Sequence, residues 1–252
     1  MSDSAPQQST GAEASVADNK AVTAATRLSL VALIVVTSAT NWGARVNADV
    51  PPLSAEARAA GFVDVRSVVP SAVIDLRYAT PNNFTGMPLY PADARCLVHE
   101  SMAPGLAAAA KALGSRGEVL VFWDCYRPHA VQVKMFDVVP NPAWVAKPGP
   151  YARSHEAGRS VDVTTASTHA QCPPTQQLAG RCLTDMGTDF DDFSPRAVAF
   201  ATDGVSAEQQ TNRARLRDAM SAGGLSVYSG EWWHFDGPGA GVQRPILDVP
   251  VD

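Results

Sequence analysis

The chain has 252 residues, 46% of them hydrophobic and 18% charged, with a formal net charge of -5. That length is ample to bury a core without a structural metal, so a metal bound by this chain serves chemistry rather than folding. The acidic balance argues against nucleic acid as a partner.

Residues 1–48 read as a leader and signal segment, and 49–252 as the functional domain. Arg27 precedes an apolar run from Leu28 to Ala39. Its length of about a dozen residues suits a signal-peptide core and is too short to span a bilayer. Val46-Asn47-Ala48 supplies small residues for cleavage before Asp49, and Thr37-Ser38-Ala39 is a second candidate. The expectation is an exported protein, periplasmic or extracellular, whose mature form has no stable membrane span. An uncleaved N-terminal anchor is the alternative.

Past Val50-Pro51-Pro52, a rigid entry, the segment Ala72 to Tyr78 alternates as a strand does and runs into the loop Pro81-Asn82-Asn83. The Ala-rich stretch from Ser101 to Leu113, with Pro104 near its start and Gly114 after it, predicts a helix. Val119 to Trp123 is a continuous β-branched and aromatic run, read as a buried strand whose end presents Asp124 and Arg127. A helix is expected over His129–Val139, a Pro-rich loop through Pro150, and a strand over Ser160–Thr164.

From Ala166 to Pro195 the composition turns to Pro, Gly, Thr and Asp, the mark of a surface excursion. Ser206 and Gln209 form a capping box for a helix to about Ala222, stopped by Gly223-Gly224. Leu225–Ser229 and Trp232–Phe235 then read as a strand pair. Strands and helices mix without a βαβ rhythm. The expected fold is therefore α+β, a single compact domain with a central, largely antiparallel sheet flanked by helices.

Cys96, Cys125, Cys172 and Cys182 all follow the leader, and an even number in an exported chain suggests two disulfides. Of three possible pairings, Cys172–Cys182 and Cys96–Cys125 are favoured, each contributing up to roughly 3 kcal/mol. A structural zinc cluster of His169, Cys172 and Cys182 is the rival reading.

Two clusters carry the chemistry. Ser154-His155-Glu156-Ala157-Gly158-Arg159-Ser160-Val161-Asp162 and Glu231-Trp232-Trp233-His234 supply two imidazoles, a carboxylate and a spare glutamate. A catalytic zinc takes three nitrogen or oxygen ligands and keeps a fourth position open, and His155, Asp162 and His234 satisfy that count with one Zn2+ per chain. His155 and Asp162 are an odd separation apart and would face opposite ways on a regular strand, so Gly158 must turn the chain between them. Glu231 and His234 pose the same problem, which Gly230 can relieve.

These clusters resemble the SxHxxGxAxD and ExxH signature of the VanX-type D-alanyl-D-alanine dipeptidases, within the wider group of zinc D,D-peptidases. The likeness covers about residues 70–236. It includes Tyr78-Ala79-Thr80 with Asn83-Phe84-Thr85-Gly86, Asp124 with Tyr126-Arg127-Pro128, Met186-Gly187-Thr188 with Phe190-Asp191, and Tyr228-Ser229 before the second cluster.

The resemblance implies zinc at His155, Asp162 and His234, with the site at the sheet. It implies Glu231 as catalytic base, Arg127 as oxyanion stabiliser, and Asp191 with Tyr78 in binding the substrate, Asp191 taking the free amino group. The implied reaction is hydrolysis of the small D,D-dipeptide D-alanyl-D-alanine in cell-wall dipeptide turnover.

Two positions depart from the pattern. Arg153 stands where Ser is common near the substrate amine, and Ser160 where Ala is usual. Arg153 favours the alternative of a D,D-carboxypeptidase or peptidoglycan peptidase acting on longer stems. A non-catalytic zinc-containing wall-binding module is the third reading. No sustained heptads point to an oligomeric state.

Overall fold

The computed structural model describes residues 50–252. The expected leader and signal segment at residues 1–48 lies outside the described residues. Among the described residues no helix is long and apolar enough to cross a membrane.

In chain order the elements are α1 (Ala55–Ala59), β1 (Phe62–Asp64), α2 (Val65–Val68), β2 (Val73–Ile74), β3 (Leu97–His99), α3 (Ala103–Gly114), β4 (Glu118–Asp124) and α4 (His129–Val138). There follow β5 (Ser160–Ser167), β6 (Gln177–Leu178), β7 (Arg181–Leu183), α5 (Ala207–Ala222), β8 (Ser226–Val227) and β9 (His234–Asp236).

β1 and β3 pair antiparallel as a small separate ladder. The main sheet runs β2-β4-β5-β7-β6, and β9 bridges β5 and β8. Only the β2–β4 pair is parallel, so the sheet is mixed, with antiparallel pairs in the majority. The class is α+β, as the sequence suggested.

β4 is buried along its whole length, which is why its sequence reads as an unbroken apolar run. Over it lies α3, whose Leu106, Ala109 and Leu113 recur at helical spacing and are fully buried. α5 packs beside α3 with Leu216 and Met220 buried, and Gly223, just past the end of α5, lies against Gly105 of α3. A Cβ on either glycine would strike the other's backbone, so only glycine permits this crossing. The Ser206–Gln209 capping box forms at the start of α5.

Two expectations are corrected, and the favoured disulfide pairing is found. The strand read over Ala72–Tyr78 is only Val73–Ile74, because the chain leaves β4 after Asp75 and winds into a 3-10 turn at Arg77–Ala79. That turn carries Tyr78 toward the site. The excursion from Ala166 to Pro195 contains the β6–β7 hairpin, which extends the sheet from β5 through the Ala166–Leu183 and Ser167–Cys182 pairs. Cys172 and Cys182 form a disulfide, and so do Cys96 and Cys125, which removes the rival zinc cluster.

Candidate active site

The sheet brings the chemistry together on one rung that crosses three neighbouring strands. Asp124 at the end of β4 lies opposite Asp162 of β5, and Asp162 lies opposite His234 of β9. A register shift between Phe122 and Asp124 lets the β4 end turn away toward Arg127. His155 arrives from a 3-10 turn, Ser154–Ala157, which ends at Gly158 in the left-handed conformation with φ 63°. There a side chain would also strike the ring of Phe62. The break demanded by the His155–Asp162 spacing therefore falls at Gly158. At Gly230 the need differs: its φ is ordinary, but a Cβ would crowd the ring of Tyr228.

The three candidate ligand atoms form a small triangle. Nε2 of His155 is 3.0 Å from Nδ1 of His234 and 3.3 Å from Oδ1 of Asp162, and Nδ1 of His234 is 3.1 Å from that oxygen. Three corners of a tetrahedron with metal bonds of about 2.0–2.1 Å are separated by about 3.3 Å, so the donor set fits zinc. Both imidazole tautomers are fixed from behind. Nδ1 of His155 donates to the carbonyl of Cys125 at 2.8 Å, and Nε2 of His234 faces Oδ1 of Asp236 at 3.1 Å. With those two nitrogens engaged, Nε2 of His155 and Nδ1 of His234 are the ones left to meet a metal.

Electrostatics agree with a cation site. Burial disfavours charge on His234, but its hydrogen bonds to Asp162 and Asp236 outweigh that and raise its pKa to about 10. Asp162 is held well below the usual carboxylate range, because the pull of His155 and His234 exceeds the cost of its burial. The pocket attracts positive charge, and in the metal-free state a proton on His234 supplies it.

Glu231 stands beside the triangle without completing it, its Oε2 3.8 Å from Nδ1 of His234. Burial, helped by the charge of Asp162, raises its pKa against the opposing imidazoles. Arg127 is held by Asp124, with Nε at 2.9 Å and Nη2 at 2.7 Å, and by Oε1 of Gln132 at 2.7 Å. Three of the five N–H groups of its guanidinium are thereby used. The rest are available at the pocket wall, with the guanidinium 5.3 Å over the ring of Tyr78.

Asp191 has its pKa raised well above the carboxylate range by burial and by the charge of Asp162. It accepts a hydrogen bond from the hydroxyl of Tyr78 at 2.8 Å, and no basic side chain among the described residues lies within ion-pair distance of it. Its φ of 56° is a left-handed conformation that costs a non-glycine residue energy, and such strain gathers at functional sites. The loop is fastened at both ends of this strained turn. Arg213 of α5 donates to the carbonyls of Met186 and Arg196, and the indole of Trp232 donates to Thr188 at 2.7 Å.

All seven site residues expected from sequence line one cavity of about 550 Å³: Tyr78, Arg127, His155, Asp162, Asp191, Glu231 and His234. Sequence reasoning missed Asp236 and Gln132 and gave Asp124 no role. Asp236 had a legible signal, since residues two apart on a strand share a face and Asp236 is two past His234. Gln132 had none. Arg153 is exposed, with its guanidinium 6.0 Å from the ring of Tyr151 and no described carboxylate in ion-pair reach. It does not neutralise Asp191.

The comparisons with known proteins agree with this arrangement. The Peptidase_M15 model, described as D-ala-D-ala dipeptidase, matches residues 58–252. The chain is 32% identical over 186 residues to the D-alanyl-D-alanine dipeptidase of Escherichia coli (strain K12), covering 74% of this chain and 89% of that protein. To the D-alanyl-D-alanine dipeptidase of Enterococcus faecium it is 30% identical over 206 residues, covering 76% and 98%. A third relative of the same name, from Streptomyces coelicolor, is 29% identical over 202 residues. With the family model spanning most of the chain and the relatives aligned nearly end to end, this chain belongs to the Peptidase M15 family and is a metallopeptidase.

Proposed function

We propose that the protein is an exported zinc dipeptidase that hydrolyses D-alanyl-D-alanine to two D-alanines in cell-wall dipeptide turnover. The observation that carries this reading is the ligand triangle of His155, Asp162 and His234 in one pocket with Glu231 and the unpaired carboxylate of Asp191.

His155, Asp162 and His234 would hold the zinc. When bound, the ion supplies a Lewis acid that polarises a carbonyl and acidifies water. Glu231, with its pKa raised by burial, takes the proton of the attacking water and passes it to the departing amine. Arg127, kept rigid by Asp124 and Gln132, offers its unspent N–H groups to the developing oxyanion.

Asp191 selects the substrate. A carboxylate in a pocket with no basic partner is stabilised by a free ammonium and left unpaired by an acylated nitrogen. Tyr78 fixes its orientation. This charge logic supports a dipeptide over a longer stem, whose corresponding nitrogen is an amide. Two disulfides within the described residues, together with the Leu28–Ala39 run, support export.

The discriminating assay compares D-Ala-D-Ala, its N-acetyl form and a pentapeptide stem, with and without chelator. Chelator-sensitive release from the first alone supports the reading. Release from the others supports the peptidoglycan peptidase, and zinc binding without release supports the wall-binding module.

A further inference from the structure

Behind the ligand triangle lies a second set of polar groups. On β5, Ser160 and Asp162 point to one face, and on β9 so do His234 and Asp236. The Asp162–His234 rung carries two of the three ligands, and the Ser160–Asp236 rung is the next one on the same face, beyond Val161–Phe235. Across that second rung the hydroxyl of Ser160 donates to Oδ1 of Asp236 at 2.5 Å, and the same oxygen is 3.1 Å from Nε2 of His234. From the turn that carries His155, the hydroxyl of Ser154 donates to Oγ of Ser160 at 2.9 Å. Ser154 has φ 52°, a strained conformation, and its Oγ also lies 3.5 Å from Nε2 of His234.

Proton bookkeeping leaves one arrangement. An ionised carboxylate only accepts, so the Ser160 hydroxyl and Nε2 of His234 must both donate to Asp236. Ser160 has then used its proton, so Ser154 must be the donor between the two serines. Nε2 of His234 therefore carries hydrogen, and Nδ1, which faces Asp162 and His155, is the nitrogen left for a metal.

We propose that Ser154, Ser160 and Asp236 are positioning residues for the metal centre. Together they form a clasp that locks His234 in the tautomer that binds metal through Nδ1 and ties the His155 turn to the β5–β9 ladder. The clasp explains why a hydroxyl stands at position 160: an alanine there leaves Asp236 free to swing toward solvent, to which its side chain is 40% exposed. It rests on the zinc reading above, because it acts only through a ligand. Partners of this kind typically change metal affinity by about 10- to 100-fold.

The test is zinc affinity, measured by competition with a chromophoric chelator, together with the ¹⁵N shifts of His234 in the zinc-loaded protein. Asp236→Ala is expected to weaken zinc binding by about 10- to 100-fold and to remove the Nε2–H signature of a single tautomer. Ser160→Ala is expected to weaken it by about fivefold, the effect of one lost hydrogen bond, while Ser160→Thr, which keeps the hydroxyl on a strand, restores it. Asp236→Asn, nearly isosteric, serves if the alanine variant folds poorly. A residue with only a packing role would shift the melting temperature and leave the tautomer alone. Zinc binding within twofold of wild type in Asp236→Ala, Asp236→Asn and Ser160→Ala, with Nε2 still protonated, overturns the clasp and leaves the zinc reading standing. A wild-type protein that takes up no zinc overturns both.

Discussion

Oδ1 of Asp162 and Nδ1 of His234 lie 3.1 Å apart across one rung of the β5–β9 ladder, a separation that holds a proton in the metal-free protein and suits two corners of a metal site. The two uses compete. Because His234 has a pKa of about 10, zinc uptake near neutral pH must expel that proton. Calorimetric titration in buffers of different ionisation enthalpy is expected to show about one proton released by this group, with affinity rising about tenfold per pH unit up to about pH 10. An affinity that does not change with pH across that range contradicts the assignment. The sign for stability is the opposite. The folded pKa lies above the ordinary 6.5, so in the metal-free protein the stabilisation is complete below about pH 6.5 and is lost as pH rises through about 10.

Glu231 stands outside the ligand triangle, so its removal separates chemistry from metal binding. Glu231→Gln is expected to retain one zinc per chain while kcat falls by about 10²–10⁴-fold. Loss of zinc in this variant would make Glu231 a ligand rather than a base, and unchanged turnover would remove it from the mechanism.

Asp191→Ala is expected to lower kcat/KM for D-Ala-D-Ala by about 10- to 100-fold, the effect of one hydrogen bond to a charged group. The preference over the N-acetyl dipeptide should collapse with it. A preference that persists in the variant places the ammonium elsewhere.

The two disulfides should separate by position. Cys96–Cys125 anchors the end of β4, and the Cys125 carbonyl holds Nδ1 of His155. Replacing both cysteines by serine is expected to cost about 3 kcal/mol in urea unfolding and to weaken zinc binding. Cys172–Cys182 is fastened to the far end of β5 from Asp162. Its loss should lower stability without changing zinc affinity, and equal effects on zinc from both pairs would contradict this division.

Much of this was legible in the chain because the signals were local. β4 and α3 announce themselves by an unbroken apolar run and an Ala-rich, Pro-started segment, and the α5 cap by Ser206 and Gln209. The turn at Gly158 followed from the odd spacing of His155 and Asp162 alone. β1 and β3 were invisible, because three-residue strands hold too few side chains to show a period and are fixed by tertiary pairing. The β6–β7 hairpin was hidden in a polar stretch, its turn carried by Ala179 and Gly180, both left-handed. Gln132 buttresses Arg127 from α4, a contact set by how that helix docks and marked by no motif.

The most direct test is an anomalous diffraction map collected at the zinc edge from crystals of the zinc-loaded protein. One peak is predicted at about 2.0–2.2 Å from Nε2 of His155, Oδ1 of Asp162 and Nδ1 of His234, with Glu231 outside that coordination. No peak at the triangle, or a zinc bound by other side chains, contradicts the account.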